Sequence, residues 1–297
     1  MTLSGRVVAS HGRHVVVEDN EGKRRICHPR GKKNQAVVGD LVQWLASEDE
    51  GSIESIDPRR NLFYRQDDIR TKSFAANLDQ VLVLVAAEPE FSQSQVARAL
   101  IAAEQAGIRS LIALNKQDLT VAFDKAWVRL EPYRAFGVQV LTLGLLNHED
   151  DLAQLRQALQ HKTTLVLGPS GAGKSTLINR LVPQANASTN IISKALHSGK
   201  HPTTSTTWYW VDEDKTTALL DSPGFQEFGL NHIVASDLAS CMPDIKTHSD
   251  HCKFYNCTHV HEPDCGVRQA LSIGLIDAER HKIYVELFAE MSAPKNY

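Results

Sequence analysis

Hydrophobic and polar positions in the first sixty residues alternate over short distances. Apolar and β-branched residues concentrate in five runs separated by Gly and Asn, at 5–10, 14–18, 23–27, 40–44 and 52–56. Short runs of this kind, with turn residues between them, are typical of β-strands. Five strands in so short a segment predict a small closed barrel, with the OB-type barrel as the leading candidate. The polar, charged segment 59–72 is then expected to be a linker.

Beyond this segment the apolar runs lengthen and alternate with helical stretches. The run from Gln80 to Ala87 is almost continuously apolar, as in a strand buried on both faces of a parallel sheet. Further strands are predicted at 110–114, 138–143, 163–167 and 217–220, and helices near 92–107, 121–136, 150–160 and 175–181. This alternation predicts a doubly wound α/β sheet. After Gly229 the pattern loosens, and a last helix is predicted near 277–291.

The composition is that of a globular protein. Of 297 residues, 42% are hydrophobic and 23% are charged, which excludes wholesale disorder. The longest apolar run, 81–87, is far shorter than the roughly 20 residues that a membrane-spanning helix needs. The first residues lack the features of a signal peptide. We therefore expect a cytoplasmic protein without membrane contact and without disulfides.

A phosphate-binding loop is the strongest motif. Residues 168–175 fit the pattern G-x-x-x-x-G-K-[ST], and they lie between a predicted strand and a predicted helix, as that pattern requires. Backbone N–H groups of such a loop surround phosphate oxygens at a helix N-terminus. Lys174 is predicted to reach the β- and γ-phosphates, and the Ser175 hydroxyl to ligate Mg²⁺. The predicted nucleotide-binding residues here are Gly168, Pro169, Ser170, Gly171, Ala172, Gly173, Lys174, Ser175 and Thr176.

A second motif at 115–118, Asn-Lys-Gln-Asp, ends another buried strand. It resembles the guanine-reading motif of GTPases, so Asn115, Lys116 and Asp118 are predicted to bind the nucleotide. A carboxylate at Asp118 accepts from N1–H and N2–H₂ of guanine, whereas adenine would leave this charge unpaired. Taken alone, the four residues also fit a polar loop after a strand.

The order of the motifs is unusual. Asp221-Ser-Pro-Gly224 resembles the motif that holds Mg²⁺ and contacts the γ-phosphate, and the hydroxyls of 203–207 lie upstream of it. In ordinary GTPases the base-reading motif follows these elements, but here it precedes them. Since circular permutation at exposed sites is tolerated, we interpret the chain as a circularly permuted GTPase that binds GTP and GDP.

These motifs together resemble the ribosome small-subunit-dependent GTPase A family of bacteria over nearly the whole chain. The resemblance depends on Ala76-Asn-Leu-Asp-Gln80, on 115–118, on 168–179, on 221–229 and on a later cysteine cluster. It implies an N-terminal OB barrel at 1–66, a permuted GTPase domain at 74–228 and a zinc-binding, mostly α-helical domain at 229–297. It also implies a GTP hydrolase of late small-subunit maturation, with the subunit and its rRNA as partners.

The switch loop departs from the family pattern. Pro202 stands where the family usually has a threonine, so either Thr203 or Thr204 is the Mg²⁺ ligand, with Thr204 preferred. Phe225 occupies the place of a water-orienting glutamine, which predicts slow intrinsic hydrolysis that a partner completes. His201 is a candidate to approach the attacking water, and the alternative is a surface histidine in a loop. The predicted catalytic residues are Lys174, Ser175, His201, Thr204, Asp221 and Gly224. The loop expected to brace Asp118, near 142–145, matches poorly.

A cluster of thiols and an imidazole lies near the C-terminus. Three Cys and one His within fourteen residues fit a closed, structural Zn²⁺ site. The alternatives are an iron–sulfur cluster, which mostly takes four cysteines, and unliganded thiols. His251 and His261 are competing ligands. The predicted ligands are Cys252, Cys257, His259 and Cys265.

Positive charge concentrates at the N-terminus. Although the net charge is −3, residues 1–35 contain eight Lys or Arg against three Asp or Glu. On an OB barrel such cations favour RNA phosphate contacts, and the alternative is an ordinary solvated surface. The predicted contacts are Arg6, Lys23, Arg24, Arg25, Arg30, Lys32 and Lys33. We expect a monomer. The rival functions are a permuted GTPase of large-subunit assembly and a GTP-gated RNA-binding module with little catalysis.

Overall fold

Five strands form the N-terminal barrel in the computed structural model. The model describes residues 2–11, 14–29, 35–48, 50–67, 71–146, 149–183, 185, 206–222, 225 and 228–293. The strands pair in the order β1-β2-β3-β5-β4, and pairing of β4 with β1 closes the barrel. This OB-like barrel confirms the expectation from the strand pattern. Its strands are β1 Leu3–His11, β2 His14–Asp19, β3 Arg24–Pro29, β4 Leu41–Ala46 and β5 Gly51–Ile56.

The segment expected to be a linker forms a β-hairpin instead. Strands β6 Leu62–Gln66 and β7 Thr71–Ala76 pair antiparallel and span the predicted boundary between the first two domains. Phe63 and Phe74 are buried, and both rings pack on Phe228. The linker prediction was wrong because a β-hairpin needs only one apolar face to pack on the core. Its other face is polar, which gives the segment the composition of a linker.

The described residues of the central domain form a six-stranded sheet in the order β10-β9-β8-β11-β13-β12. All neighbours are parallel except β12 and β13. The single helix predicted at 121–136 is two helices, because the chain breaks at Leu130 and Pro132 lies in the first turn of the second. The elements are β8 Gln80–Ala86, α1 Gln93–Gln105, β9 Arg109–Asn115, α2 Thr120–Arg129, α3 Glu131–Ala135, β10 Gln139–Leu143, α4 Glu149–Leu159, β11 Thr163–Leu167, α5 Lys174–Leu181, β12 Thr207–Trp210 and β13 Ala218–Asp221.

Barrel and central domain are joined by direct backbone contacts. Ala9 of β1 pairs with Thr207 of β12, which makes the sheet continuous between the two. Gly39 has φ +94°, and a Cβ there would lie 2.1 Å from the Ala76 carbonyl oxygen. The Asn77 Nδ2 amide donates to the Gly39 carbonyl oxygen at 3.0 Å, and Thr163 N–H donates to Asp79 Oδ2 at 2.8 Å. The Ala-Asn-Leu-Asp motif therefore connects the barrel to two core strands.

The C-terminal part is helical and packs on the central domain. Its helices are α6 Pro243–Ser249, α7 Gly266–Ser272 and α8 Ala278–Ser292, preceded by two short 3₁₀ turns. Arg280 of α8 forms a bidentate pair with Asp244 of α6, and their side chains are 3% and 9% exposed. The Arg280 guanidinium also lies 5.0 Å from the ring centres of both Tyr133 and Phe136. Within the described residues, no helix has the length and apolar character to cross a membrane.

Candidate functional site

The predicted phosphate loop lies at the carboxyl end of β11. The chain turns after Leu167, and α5 begins at Lys174. Gly173 has φ +103°, and a Cβ there would lie 2.4 Å from Asn115 Nδ2, so both space and backbone conformation require glycine. Lys174 Nζ donates to the carbonyl oxygens of Gly168 at 2.6 Å and Pro169 at 3.1 Å. The loop therefore has the arrangement of a phosphate cradle at a helix N-terminus.

The predicted base motif lies beside this loop. The buried Asn115 donates from Nδ2 to the Ala172 carbonyl oxygen at 2.9 Å, and its Oδ1 accepts from Leu145 N–H at 3.4 Å. Asn115 therefore connects the two loops, a role that the motif alone did not reveal. Lys116 has φ +67°, and its Nζ donates to the Glu88 carbonyl oxygen at 2.5 Å. Asp118 is exposed and faces the space between the loops.

One cleft of about 420 Å³ brings the two motifs together. The loop after β10 forms part of its wall, close to the place where a bracing loop was expected. The sequence match there is poor because Leu145 contributes its backbone N–H and a buried side chain, neither of which demands a particular residue. The Leu146 side chain is 71% exposed. The residues lining the cleft are Asn115, Lys116, Asp118, Leu145, Leu146, Ser170, Gly171, Gly173, Lys174, Ser175 and Thr176.

Asp221 ends β13 next to the phosphate loop. It pairs in register with Val166 of β11, and it interacts electrostatically with Lys174. Burial raises the pKa of Asp221 above its ordinary value, and the nearby Lys174 ammonium opposes that rise. Burial likewise lowers the pKa of Lys174, against the effect of Asp221. The two groups thus form a partly buried pair of opposite charge.

Phe225 lies four positions after Asp221 in the sequence. Phe225 is 4% exposed and belongs to the main hydrophobic core, so its ring packs inside rather than toward a nucleotide. The predicted site residues His201, Thr204 and Gly224, together with Thr203, lie outside the described residues.

The four predicted metal ligands converge. Their ligand atoms all lie within 4.8 Å of one another. Cys252 Sγ is 3.8 Å from Cys265 Sγ and 3.4 Å from His259 Nδ1. These separations fit a tetrahedral Zn²⁺ site, since Zn–S bonds of about 2.3 Å place sulfurs about 3.8 Å apart. Within the described residues, neither His251 nor His261 joins this set, which is Cys252, Cys257, His259 and Cys265.

The surroundings of the cluster orient its imidazole. Ser249 Oγ donates to the Ile245 carbonyl oxygen, which leaves it to accept from His259 Nε2–H at 3.3 Å. This hydrogen bond assigns the proton to Nε2 and leaves Nδ1 directed at the sulfurs, as metal-binding histidines are usually held. The burial of Cys257 beside two other thiols raises its thiol pKa to about 12. A divalent cation would stabilise the deprotonated sulfurs.

Most of the predicted RNA-contacting cations that the structure describes make contacts within the protein. Arg6 lies 4.7 Å above the Trp208 ring, and burial lowers its pKa. Arg24 pairs with Glu18, and Arg25 donates to the Ser47 carbonyl oxygen. Among the predicted RNA contacts that the structure describes, Lys23 alone is exposed. Arg30, Lys32 and Lys33 lie outside the described residues.

The chain is similar in sequence to known proteins. Residues 56–231 match the family model described as RsgA GTPase. A protein of Variovorax paradoxus (strain S110), named small ribosomal subunit biogenesis GTPase RsgA, is 65% identical over 293 residues, which cover 97% of this chain and 92% of that protein. A protein of the same name from Bordetella pertussis is 47% identical over 294 residues, covering 99% of this chain and 98% of the relative.

Two solved structures share the fold over their whole length. The crystal structure of YjeQ from Thermotoga maritima has a TM-score of 0.77 and 28% identity, covering 99% of this chain and 100% of that one. The structure of YloQ, described as a circularly permuted GTPase, has a TM-score of 0.73 and 28% identity, covering 100% of this chain and 98% of that one. The fold formed by the barrel, the central sheet and the C-terminal helices is therefore shared with both of these structures.

Proposed function

Because the chain belongs to the RsgA GTPase family, with the circularly permuted GTPase fold, we propose that it hydrolyses GTP during maturation of the small ribosomal subunit. The observation that carries this proposal is that Lys174 and Asp118 line the same cleft. A phosphate cradle and a carboxylate in one cleft suit a guanine nucleotide.

Each cleft residue has a role in this proposal. Lys174 binds the β- and γ-phosphate oxygens, and the backbone N–H groups of 169–174 surround them. Asp118 accepts from the guanine N1–H and N2–H₂, while Asn115 holds the two loops together. Ser175 and Asp221 are the described residues that would hold Mg²⁺, which supplies charge neutralisation on the phosphates when bound. Three roles stay predictions. Thr204 is predicted to ligate Mg²⁺, Gly224 to contact the γ-phosphate, and His201 to approach the attacking water.

Intrinsic turnover should be slow in this proposal. Phe225 is apolar and buried, so position 225 does not orient water by hydrogen bonding. Docking on the small subunit would then complete the site. We propose that contacts with rRNA phosphates come from the barrel, including Lys23, Arg30, Lys32 and Lys33. We also propose that the protein acts as a monomer in the cytoplasm.

The C-terminal cluster serves structure in this proposal. Cys₃His is a closed ligand set without an open position, as in structural zinc sites. The segment 250–265 contains no strand or helix of its own, so a metal would fix its shape. We propose one Zn²⁺ in the domain that spans 229–297.

Phosphate release from GTP tests the proposal. It should be slow for the protein alone and should rise when isolated small subunits are added, but not with large subunits. Lys174→Ala should abolish turnover, while Lys125→Ala, which removes an exposed lysine on α2, should not change it. Stimulation by large subunits would instead favour the large-subunit role, and turnover that stays negligible with either subunit would favour a GTP-gated RNA-binding module.

Base preference tests the assignment of the base motif. Asp118→Asn replaces the carboxylate oxygen that accepts from the guanine 2-amino group with an NH₂ donor, which suits the 2-oxo group of xanthine, so the variant should prefer xanthosine triphosphate over GTP. Asp124→Asn makes the same chemical change at an exposed position on α2 and should keep the preference for GTP. An Asp118→Asn variant that still prefers GTP would contradict the assignment of the base site.

A further inference from the structure

Asp151 makes an unusual contact for a residue in the first turn of a helix. Three acidic residues, Glu149, Asp150 and Asp151, open α4. Carboxylates there ordinarily stabilise the N–H groups of their own helix. Asp151 instead accepts, at Oδ2, a hydrogen bond of 2.8 Å from the N–H of Gly144, seven residues earlier. Gly144 is buried and Asp151 is partly buried, whereas Asp150 is exposed.

The acceptor holds a wall of the nucleotide cleft. Gly144 begins the loop of which Leu145 and Leu146 line the cleft. The next N–H along this loop, that of Leu145, donates to Asn115 Oδ1, and Asn115 donates in turn to Ala172 of the phosphate loop. On the other side, Gln117 N–H donates to the Leu143 carbonyl oxygen at 3.2 Å. The Asp151 bond is therefore the outer end of a set of bonds that reaches both nucleotide-binding loops.

We propose that Asp151 is a positioning residue for the guanine end of the nucleotide site. This inference rests on the proposed function, because it takes the cleft to be the guanine nucleotide site. A charge-assisted hydrogen bond to a buried N–H is strong, and without it that N–H has lost its acceptor in an apolar setting. The loop 144–146 then relaxes toward a position in which its N–H groups find other partners. Asn115 loses its bond to Leu145, and the base site loses its fixed geometry.

The expected signature separates binding from chemistry. The loop donates a hydrogen bond to Asn115 of the base motif, and GTP and GDP carry the same base, so both nucleotides should be affected alike. Asp151→Ala should raise the dissociation constants of both nucleotides by the same factor, on the order of ten-fold. The rate of hydrolysis at saturating GTP with small subunits should stay unchanged, because Lys174 and Ser175 are untouched.

Fluorescent guanine nucleotides measure the effect directly on the full-length protein. The matched control is Asp150→Ala, which removes the same charge from the same helical turn without touching Gly144. Asp151→Asn keeps a weaker acceptor oxygen. Wild type and Asp150→Ala should therefore have equal dissociation constants. The constant should be higher for Asp151→Asn and highest for Asp151→Ala. If Asp151→Ala does not fold, a rise of about two- to five-fold in Asp151→Asn, equal for GTP and GDP, supports the proposal.

Three results would overturn it. Equal dissociation constants in Asp151→Ala and Asp150→Ala would show that the Gly144 contact does not position the site. Where the alanine variant does not fold, a dissociation constant of Asp151→Asn equal to that of wild type would show the same. A fall in the rate at saturating GTP with unchanged affinity would place Asp151 in the chemistry instead. Failure of the proposed function looks different, since the wild-type protein would then bind adenine nucleotides as well as guanine nucleotides.

Discussion

Glu18 is a buried carboxylate at the joint between barrel and central sheet. It lies on β2, is 6% exposed and accepts three hydrogen bonds. The donors are Arg24 Nε at 2.8 Å, Trp210 Nε1 at 2.8 Å and Lys215 Nζ at 2.9 Å. Arg24 belongs to the barrel, whereas Trp210 and Lys215 belong to β12 and the turn after it. We therefore predict that Glu18→Gln weakens the attachment of the barrel to the sheet.

The magnitude follows from the three bonds. A hydrogen bond to a charged group contributes roughly 1.5–3 kcal/mol, and removing one partner of a buried ion pair costs roughly 3–5 kcal/mol. Glutamine keeps one acceptor oxygen but directs an NH₂ group at one of the cations. The expected loss in the free energy of unfolding at pH 7 is about 3 kcal/mol. Urea unfolding followed by tryptophan fluorescence measures it, with Trp210 as a reporter at the joint.

The pH dependence gives a second test. Burial alone would raise the pKa of Glu18, but the bonds from Lys215, Arg24 and Trp210 outweigh burial and hold the pKa below its ordinary value of 4.5. A carboxyl with a depressed pKa stabilises the fold above the unfolded-state pKa and loses that effect as pH falls through the folded-state pKa. The difference between wild type and Glu18→Gln should stay constant from pH 7 to 5 and shrink below about 4.5.

A control on the same hairpin makes the result decisive. Glu21→Gln removes an equal charge from an exposed side chain in the turn after β2. If Glu18→Gln destabilises no more than this control does, or if its effect is independent of pH down to pH 3, the joint does not depend on the carboxylate.

Two further predictions concern the C-terminal domain. Cys265→Ser should lower the zinc content, measured by emission spectroscopy of the purified protein, from one ion per chain to none and lower the melting temperature, while the affinity for GTP stays unchanged. Arg280→Met leaves Asp244 buried without a partner and should cost about 3–5 kcal/mol in urea unfolding. Adding Asp244→Asn should recover part of that loss, and fully additive losses would contradict the pairing.

The parts of the fold predicted from sequence are those with strong local patterns. The barrel strands and the strands of the central parallel sheet lie where continuous or clustered apolar residues indicated them. The hairpin β6–β7 and strand β12 were not predicted, since their stability comes from distant partners. Phe63 packs on Phe228, and Thr207 pairs with Ala9. No periodicity within a short segment reveals a partner that lies 165 or more residues away in the chain.

The same distinction applies to the site. Motif spacing located the phosphate loop, the base motif and the metal cluster, because their chemistry demands particular residue types. It did not locate the contacts that hold these groups in place. Asn115 bonds to Ala172 and Leu145, and Asp151 bonds to Gly144, through backbone atoms that any sequence supplies. Arg6 was predicted to contact RNA, but stacking on Trp208 places its cation inside the joint.

The backbone around Thr207 connects the barrel to the edge of the cleft through the sheet. Thr207 pairs on one side with Ala9 of the barrel and on the other with Asp221, the residue that ends β13 beside Lys174. The hairpin makes a second connection, since Gln66 N–H donates to the Gly229 carbonyl oxygen just beyond the Asp221 motif. A flexible linker would let the barrel move independently of the cleft. With both connections in place, the backbone on either side of 222–228 cannot shift without displacing hydrogen bonds to the barrel or the hairpin.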